Sequence, residues 1–473
     1  MSKTKQERVL EKITVSGVAA EGKALAKVND LVVFVPFAAP GDVVDIRLTK
    51  KKRQYAEGVV LSCHHRSPLR VESFCSHFGL CGGCKWQHLL YSEQLKYKQQ
   101  EVEDHLQRIG KLTPVEILPI LAAPRTQFYR NKLEFTFARS KWLTEEQLHT
   151  PEANRDNQAL GFHIPGRFDK VLDIETCYLQ TDLSNRIRRH IKDYCLQHEG
   201  YDFPNLRHRD GFMRTLLIRT SETTGEVMVI AVFFYDDPPK REALLRNLNE
   251  NFPEITALLY CINDKCNDTI TDCTVCLFHG NDHITEVMEG LRFRIGPKSF
   301  YQTNSAQAYE LYKEVRRLAR PQKHEVVYDL YTGIGTIALF IARDVGKVVG
   351  VEYVAEAVED ARGNASRNEI DNTCFLAGDM KDVLNEAFVR RHGRPDLIIT
   401  DPPRSGMHAG VIEAILAAAP ERIVYVSCNA ATQARDLALL AKDYTLQTVR
   451  PVDMFPHTHH VENIALLVKH ERV

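Results

Sequence analysis

From residue 325 to 469, short β-branched runs alternate with helix-forming stretches. That alternation leaves few folds open to the segment: it predicts a doubly wound, mostly parallel sheet with helices on both faces. Strands are expected at 325–331, 345–352, 374–377, 396–400 and 423–427, with 444–449 and 463–469 completing the sheet as an antiparallel pair. Helices are expected over 336–344, 355–369, 411–419 and 432–442. In such sheets ligands bind beyond the carboxyl ends of the strands, so the residues at those ends are read first. They are Tyr331 with Gly333-Ile334-Gly335, then Glu352, Asp379, Asp401-Pro402-Pro403-Arg404 and Ser427-Cys428-Asn429.

Gly333-x-Gly335-x-x-Ala338 opens a helix after a strand, and Glu352 ends the next strand at the distance of a ribose-binding acid. This fits a dinucleotide fingerprint and, taken alone, an NAD-dependent oxidoreductase. The same geometry serves S-adenosylmethionine: glycines admit the methionine part and the acid holds the ribose hydroxyls. Asp401-Pro402-Pro403-Arg404 beside a strand-end cysteine forms no hydride-transfer constellation, but it suits methyl transfer to a base. The ordinary role of a free cysteine is that of a small buried hydrophobe. At the mouth of a crevice, Cys428 is instead a candidate nucleophile.

With 473 residues the chain has room for several domains. Its 61 basic and 62 acidic residues make any nucleic-acid surface local, not global. The first eight residues carry no apolar leader and no stretch has the length of a membrane span, so a cytoplasmic protein without membrane contact is expected. Residues 8–63 hold five short strand-like runs (11–15, 22–28, 31–36, 41–48 and 55–61) separated by turn residues, the pattern of a small oligonucleotide-binding barrel. Between 47 and 70 stand Arg47, Lys50, Lys51, Lys52, Arg53, Arg66 and Arg70 against the single acid Glu57, which suits contact with phosphates. A helix over 92–110, capped by Ser92 and stopped by Gly110, and a strand over 128–137 with Arg130 and Lys132 facing outward open a central α+β region reaching about 295.

Twelve cysteines in a reducing compartment argue for metal ligation or catalysis at some of them. Cys75-x5-Cys81-Gly82-Gly83-Cys84 can wrap one metal centre, zinc or iron–sulfur, with a fourth ligand from elsewhere. Cys261, Cys266, Cys273 and Cys276 are read as structural cysteines of a hairpin. Within a strand, Cys273 and Cys276 would face opposite sides.

Several motifs in fixed order carry a resemblance that runs nearly end to end: the Cys75–Cys84 pattern, Ser299-Phe300-Tyr301-Gln302-Thr303-Asn304, Asp329-Leu330-Tyr331-Thr332-Gly333, Asp401-Pro402-Pro403-Arg404, Ser427-Cys428-Asn429 and the segment from Phe455 to Glu462. On these the chain resembles the RNA (uracil-5-)-methyltransferase family, in its branch with a TRAM domain and an iron–sulfur cluster. The resemblance implies a TRAM barrel over 1–66, a central α+β domain over 67–298 whose helix 92–110 packs on the catalytic domain, and a class I, Rossmann-like S-adenosylmethionine-dependent methyltransferase domain over 299–473. It implies a [4Fe–4S] cluster on Cys75, Cys81, Cys84 and Cys177, and cofactor contacts from Gln302, Tyr331, Gly333, Gly335, Glu352, Asp379 and Asp401. Cys428 would add to carbon 6 of a uracil, and Glu462 would remove the proton from carbon 5. The implied partner is RNA, with 23S rRNA favoured over tRNA, and the implied state a monomer. A non-catalytic RNA-binding protein would explain the barrel and the cluster, but not the strand-end residues. Two positions depart from the common pattern: Thr332 stands where many members have Cys, and Ala430 where many have Pro. His457, His459 and His460 look like a metal cluster but are read as groups orienting RNA or Glu462.

Overall fold

The computed structural model describes residues 8–149, 151, 157–208 and 210–470. Residues 1–7, which carry most of the stretch read for a leader, lie outside the described residues. The amino-terminal strands β1 (Val9–Val18), β2 (Ala24–Val28), β3 (Leu31–Val35), β4 (Val43–Lys51) and β5 (Tyr55–His65) close a barrel in the order β1-β2-β3-β5-β4. Alternation sends Val15, Ala26, Val33, Val44 and Ile46 inward as its core. Strands β4 and β5 run beyond the apolar stretches because their antiparallel ladder continues through Lys51 and Ala56 into a solvated tip. That tip exposes Lys50, Lys51, Lys52 and Arg53.

The central sheet comprises β7 (Lys132–Ala138), β8 (Ala159–Ile164), β9 (Arg167–Asp173), β10 (Met213–Thr220), β11 (Val227–Phe233), β12 (Ala257–Ile262) and β13 (Val275–Gly280), with β6 (Glu116–Ile117) belonging elsewhere. Its order is β13-β12-β11-β10-β7-β8-β9. Strand β11 is apolar throughout because both faces are covered. Val229, Ala231 and Phe233 pack with helices α2 (Asp182–Gln197) and α3 (Pro238–Asn251), while Met228, Ile230 and Val232 join the core shared with the carboxyl-terminal third. Two local expectations change. Strand β7 begins at Lys132: Phe128 takes a positive φ, and Asn131 donates to Gln302 O and Ser305 Oγ, so Arg130 precedes the strand and lies over the Phe455 ring. Cys273 precedes β13 and packs against the thiol of Cys261, so only Cys276 lies in that strand.

After a hairpin of β14 (Ile284–Met288) and β15 (Leu291–Ile295) and helix α4 (Ser305–Ala319), the expected alternation appears. It runs β16 (Val326–Leu330), α5 (Thr336–Ala342), β17 (Lys347–Glu352), α6 (Ala355–Arg367), β18 (Thr373–Ala377), β19 (Leu397–Thr400), α7 (Ala409–Ala418), β20 (Arg422–Ser427), α8 (Ala430–Leu440), β21 (Tyr444–Val452) and β22 (Glu462–Lys469). The eight-stranded order is β18-β17-β16-β19-β20-β22-β21-β6, with β22 antiparallel to both neighbours. Order reverses between β16 and β19, and the crevice opens at that switch point. Strand β6 and helix α1 (Tyr91–His105) come from the upstream half of the chain. Val102 and Leu106 insert into the core beneath β16, β19 and β20. The helix starts one residue before the expected cap, without a side-chain cap, since Tyr91 and Ser92 are already helical. It ends in a wide turn over Leu106–Gly110, with Lys111 left-handed. No described helix is long and apolar enough to cross a membrane.

Candidate active site

A cavity opens beyond β16 and β19, lined by Tyr301, Gln302, Asp329, Tyr331, Gly333 and Asp401 among others. The turn after β16 is built for close approach to a ligand. Tyr331 and Gly333 both have positive φ, and a Cβ on Gly333 would meet nothing within 4 Å, so the backbone there borders open space. Gly335, at φ +82°, is tighter: a Cβ would stand 3.1 Å from Ala361 and from the Phe375 ring. Glu352 closes the turn, its carboxylate accepting from Gly333 N and Val354 N at 3.0 Å each. Gln302, Tyr331, Gly333 and Asp401 thus line the cavity, and Glu352 shapes it through Gly333. Gly335 starts α5 behind it. Asp379 caps the short helix Met380–Val383 and pairs with Lys381 at 3.1 Å, outside the lining. Asp329, missed as a site residue by sequence reasoning, is buried at the end of β16 and accepts from Thr332 Oγ1 and Ala338 N. Its only signal was its place two residues before Tyr331. Thr332, the departure from the common Cys, supplies a hydroxyl donor to it.

Cys428 and Glu462 meet through sheet register. Ser427 pairs with Asn463 in the antiparallel ladder of β20 and β22. The next pair outward is therefore Cys428 opposite Glu462, at the ~5 Å backbone spacing of such partners. Gln433, fully buried on α8, locks the arrangement by donating to Tyr425 O and Asn463 O. Asn429 caps α8 through Ala431 N and Thr432 N and donates to Arg404 O, tying the cysteine turn to Asp401-Pro402-Pro403-Arg404. Ala430, the second departure, follows this cap without disturbing it.

The electrostatics form one coupled set. Burial pushes the Glu462 carboxyl up to about 8, helped by Asp401 and opposed by Arg404 and Lys98. Burial likewise lifts Asp401 to about 7, with Asp329 adding to it, and Asp329 itself to about 7. The Cys428 thiol is pushed up to about 11 by burial and by the charges of Glu462 and Asp401, while the Arg404 guanidinium beside it favours the thiolate. Near neutrality both carboxyls carry protons part of the time, which removes the repulsion that holds the thiolate back. A thiol, a buried carboxyl and a guanidinium thus stand close enough to act on one another. Arg404 was read in its motif but not picked as a site residue, and no local signal marked Lys98.

Cys75 and Cys81 are half-buried, Cys84 and Cys177 buried. Burial raises all four thiols. Cys81 and Cys177 feel Cys75, and Cys84 feels the other three, so the quartet occupies one region of the fold. Asn185 brackets Cys177 by accepting from its N–H and donating to its carbonyl. Four thiols suit an iron–sulfur centre in number and type. As placed, however, no group of three or more His, Cys, Asp or Glu among the described residues is arranged to hold a metal ion. The histidines are not such a group either. His457 anchors backbone, its carbonyl accepting from Lys85 N and Trp86 N. His459 and His460 lie ring on ring, centroids 4.1 Å apart, and burial lowers the basicity of all three.

Residues 280–470 match the family described as tRNA (Uracil-5-)-methyltransferase, and residues 6–61 match the TRAM domain. The chain is 58% identical to an uncharacterized RNA methyltransferase of Bacteroides thetaiotaomicron, over 95% of this chain and 99% of the relative. It is 37% identical to another from Chlorobaculum tepidum, over 97% and 96%. Among solved structures it is similar to the Pyrococcus abyssi tRNA (uracil-54, C5)-methyltransferase in complex with S-adenosyl-L-homocysteine. That match has a TM-score of 0.74 and 28% identity, covering 97% of this chain and 99% of that one.

Proposed function

The chain belongs to the RNA (uracil-5-)-methyltransferase family and is an S-adenosylmethionine-dependent enzyme, and on that premise we propose that it methylates one specific uridine of 23S rRNA through a covalent adduct at Cys428. The observation that carries the mechanism is the register that sets Cys428 against Glu462 beyond the end of β20, with Asp401 of the cavity wall acting electrostatically on both. Carbon 5 of uracil is a weak nucleophile in a base that normally lies stacked, so the uridine enters unstacked or is flipped out at a cost of a few kcal/mol. The Cys428 thiolate, favoured by Arg404, adds to carbon 6 and makes carbon 5 electron-rich. A thiolate suits this step because it both attacks and leaves readily. S-adenosylmethionine supplies the methyl group that carbon 5 takes. Glu462 then removes the carbon-5 proton, the double bond re-forms and Cys428 is released. Gln302, Tyr331, Gly333 and Asp401 hold the cofactor from the cavity wall. Gly335 and Glu352 set the shape of the turn, and Asp379 borders it from the next strand end.

Cys75, Cys81, Cys84 and Cys177 are the proposed holders of a [4Fe–4S] cluster. Their mutual field and soft donor chemistry support this reading, with a role in building the RNA-facing surface and none in methyl transfer, which moves no net electrons. The pairing of barrel and cysteine quartet supports 23S rRNA as substrate. A tRNA substrate is the second reading, supported by the similarity to the Pyrococcus abyssi tRNA enzyme. Mapping 5-methyluridine in rRNA and tRNA from a strain lacking the gene separates them. Loss of one 23S site is the expected result, and loss from tRNA alone would replace rRNA with tRNA.

A further inference from the structure

A second cavity, of about 630 Å³, lies where the end of β5 and the linker after it meet the cysteine-rich loop, and it shares no lining residue with the first. Its volume falls in the roughly 300–1,000 Å³ range of clefts that hold small ligands. The linker is fixed from beneath. Fully buried Asp42 accepts from Arg70 Nε at 2.9 Å, from Arg70 Nη2 at 2.6 Å and from Ser67 N at 2.9 Å, and Arg70 Nη2 also donates to Phe37 O at 3.0 Å. The charge of Arg70 is therefore satisfied within the fold. Arg66, on the same lining, is exposed, and no carboxylate among the described residues pairs with it. Phe78 is half-buried, its ring edge-on to Phe37 and tilted 32° to His88, with centroids 5.4 Å apart in each pair. His88 Nε2 meets Ala38 O at 3.1 Å, so Nε2 carries the hydrogen and Nδ1 is an acceptor. Among the described residues nothing donates to Nδ1. Glu72 is the one acid on the lining. Phe74, next in sequence to the lining residue Ser73, sets its ring edge-on to His457 at 5.1 Å, so the cavity adjoins the segment that leads to Glu462.

We propose that this cavity is a second RNA subsite, which takes one unstacked nucleotide of the substrate other than the uridine that is methylated. An unpaired guanidinium, an aromatic ring and an unpartnered acceptor match the three parts of a nucleotide. The phosphodiester meets Arg66, the base stacks on Phe78, and a base N–H reaches His88 Nδ1 directly or through one water. Glu72 disfavours a free phosphate with its second charge, whereas a diester carries only one. Contacts made here are the same before and during methyl transfer, so they strengthen RNA binding and leave the chemical step unchanged.

The subsite rests on RNA as the substrate, and it needs neither the covalent adduct nor the choice between rRNA and tRNA. Filter binding of 23S rRNA and tRNA transcripts to the full chain, with S-adenosylhomocysteine present, is measured across salt for the parent, R66A, F78A and F78Y. R66A removes an exposed and unpaired side chain, so its folding is not at issue. It is expected to weaken RNA binding and to reduce the slope of log affinity against log salt by about one. F78A is expected to weaken binding about tenfold or more, and F78Y to keep the parent affinity. In all three variants S-adenosylhomocysteine affinity and kcat stay at the parent values, and the loss appears in KM for RNA. Transcripts carrying 4-thiouridine are expected to crosslink under near-ultraviolet light within residues 66–88. Parent affinity and salt slope in R66A, or crosslinks confined to other residues, overturn the subsite. A loss in F78A that F78Y does not restore overturns the stacking. A parent that binds neither transcript overturns the RNA reading itself, a result distinct from failure of the variants.

Discussion

Replacing Glu462 by Gln removes one proton acceptor and little volume, and its two effects run in opposite directions. Catalytically, a general base contributes roughly 10²–10⁴-fold, so release of the methylated adduct slows by that factor while attack by Cys428 persists. Labelled RNA therefore accumulates in a band that survives denaturing gels. Thermodynamically, Glu462 is 4% exposed, and burial, the leading cause, carries its carboxyl from 4.5 to about 8. The folded chain thus binds a proton that the unfolded chain has released between those values. This contribution to stability is full below about 4.5 and is lost as pH rises through about 8. Complete ionisation costs at most roughly 5 kcal/mol. Glutamine never ionises, so E462Q matches the parent in melting temperature near pH 5 and exceeds it by several degrees near pH 9. Multiple turnover without a trapped adduct would refute Glu462 as the base. Equal melting shifts at both pH values would refute the argument from burial.

Cys428→Ala leaves no nucleophile for carbon 6, so methylation and adduct both vanish while S-adenosylhomocysteine still binds calorimetrically; appreciable turnover would refute the assignment. Gly335→Ala places a Cβ at a left-handed φ and 3.1 Å from Ala361 and Phe375. It should cost about 1–3 kcal/mol in denaturant unfolding and weaken cofactor binding, and an unchanged unfolding midpoint would contradict that. Anaerobically purified protein should be brown with about four irons per chain, and Cys177→Ser should lose that iron while retaining S-adenosylhomocysteine binding. Colourless, zinc-loaded protein would reverse the iron–sulfur reading.

Local rules go a long way along this chain. Period-two alternation and turn chemistry marked the barrel strands, and the alternation of strand and helix from 325 onward predicted the parallel sheet and its strand-end residues. Both are short-range properties: a β-branched run ending in glycine or aspartate states its own conformation. Element ends were less legible. Strands β4 and β5 extend because a ladder partner satisfies their backbone, and β7 starts late because Asn131 is held by Gln302 and Ser305 from far along the chain. The crevice was legible in the same way, since Tyr331, Gly333, Asp401 and Cys428 sit where strands end.

What only the tertiary structure decided is how distant segments bear on those residues. The sequence placed Cys428 at a strand end and the resemblance named Glu462, but only the Ser427–Asn463 register sets the two opposite one another. It offered Lys98 as one lysine among many on a helix of ordinary composition. Contact with Asp453, 355 positions away, buries it against the segment that precedes Glu462. Proton affinities belong to this second class, because burial and opposed charges are properties of the packed interior and are absent from any local stretch of chain.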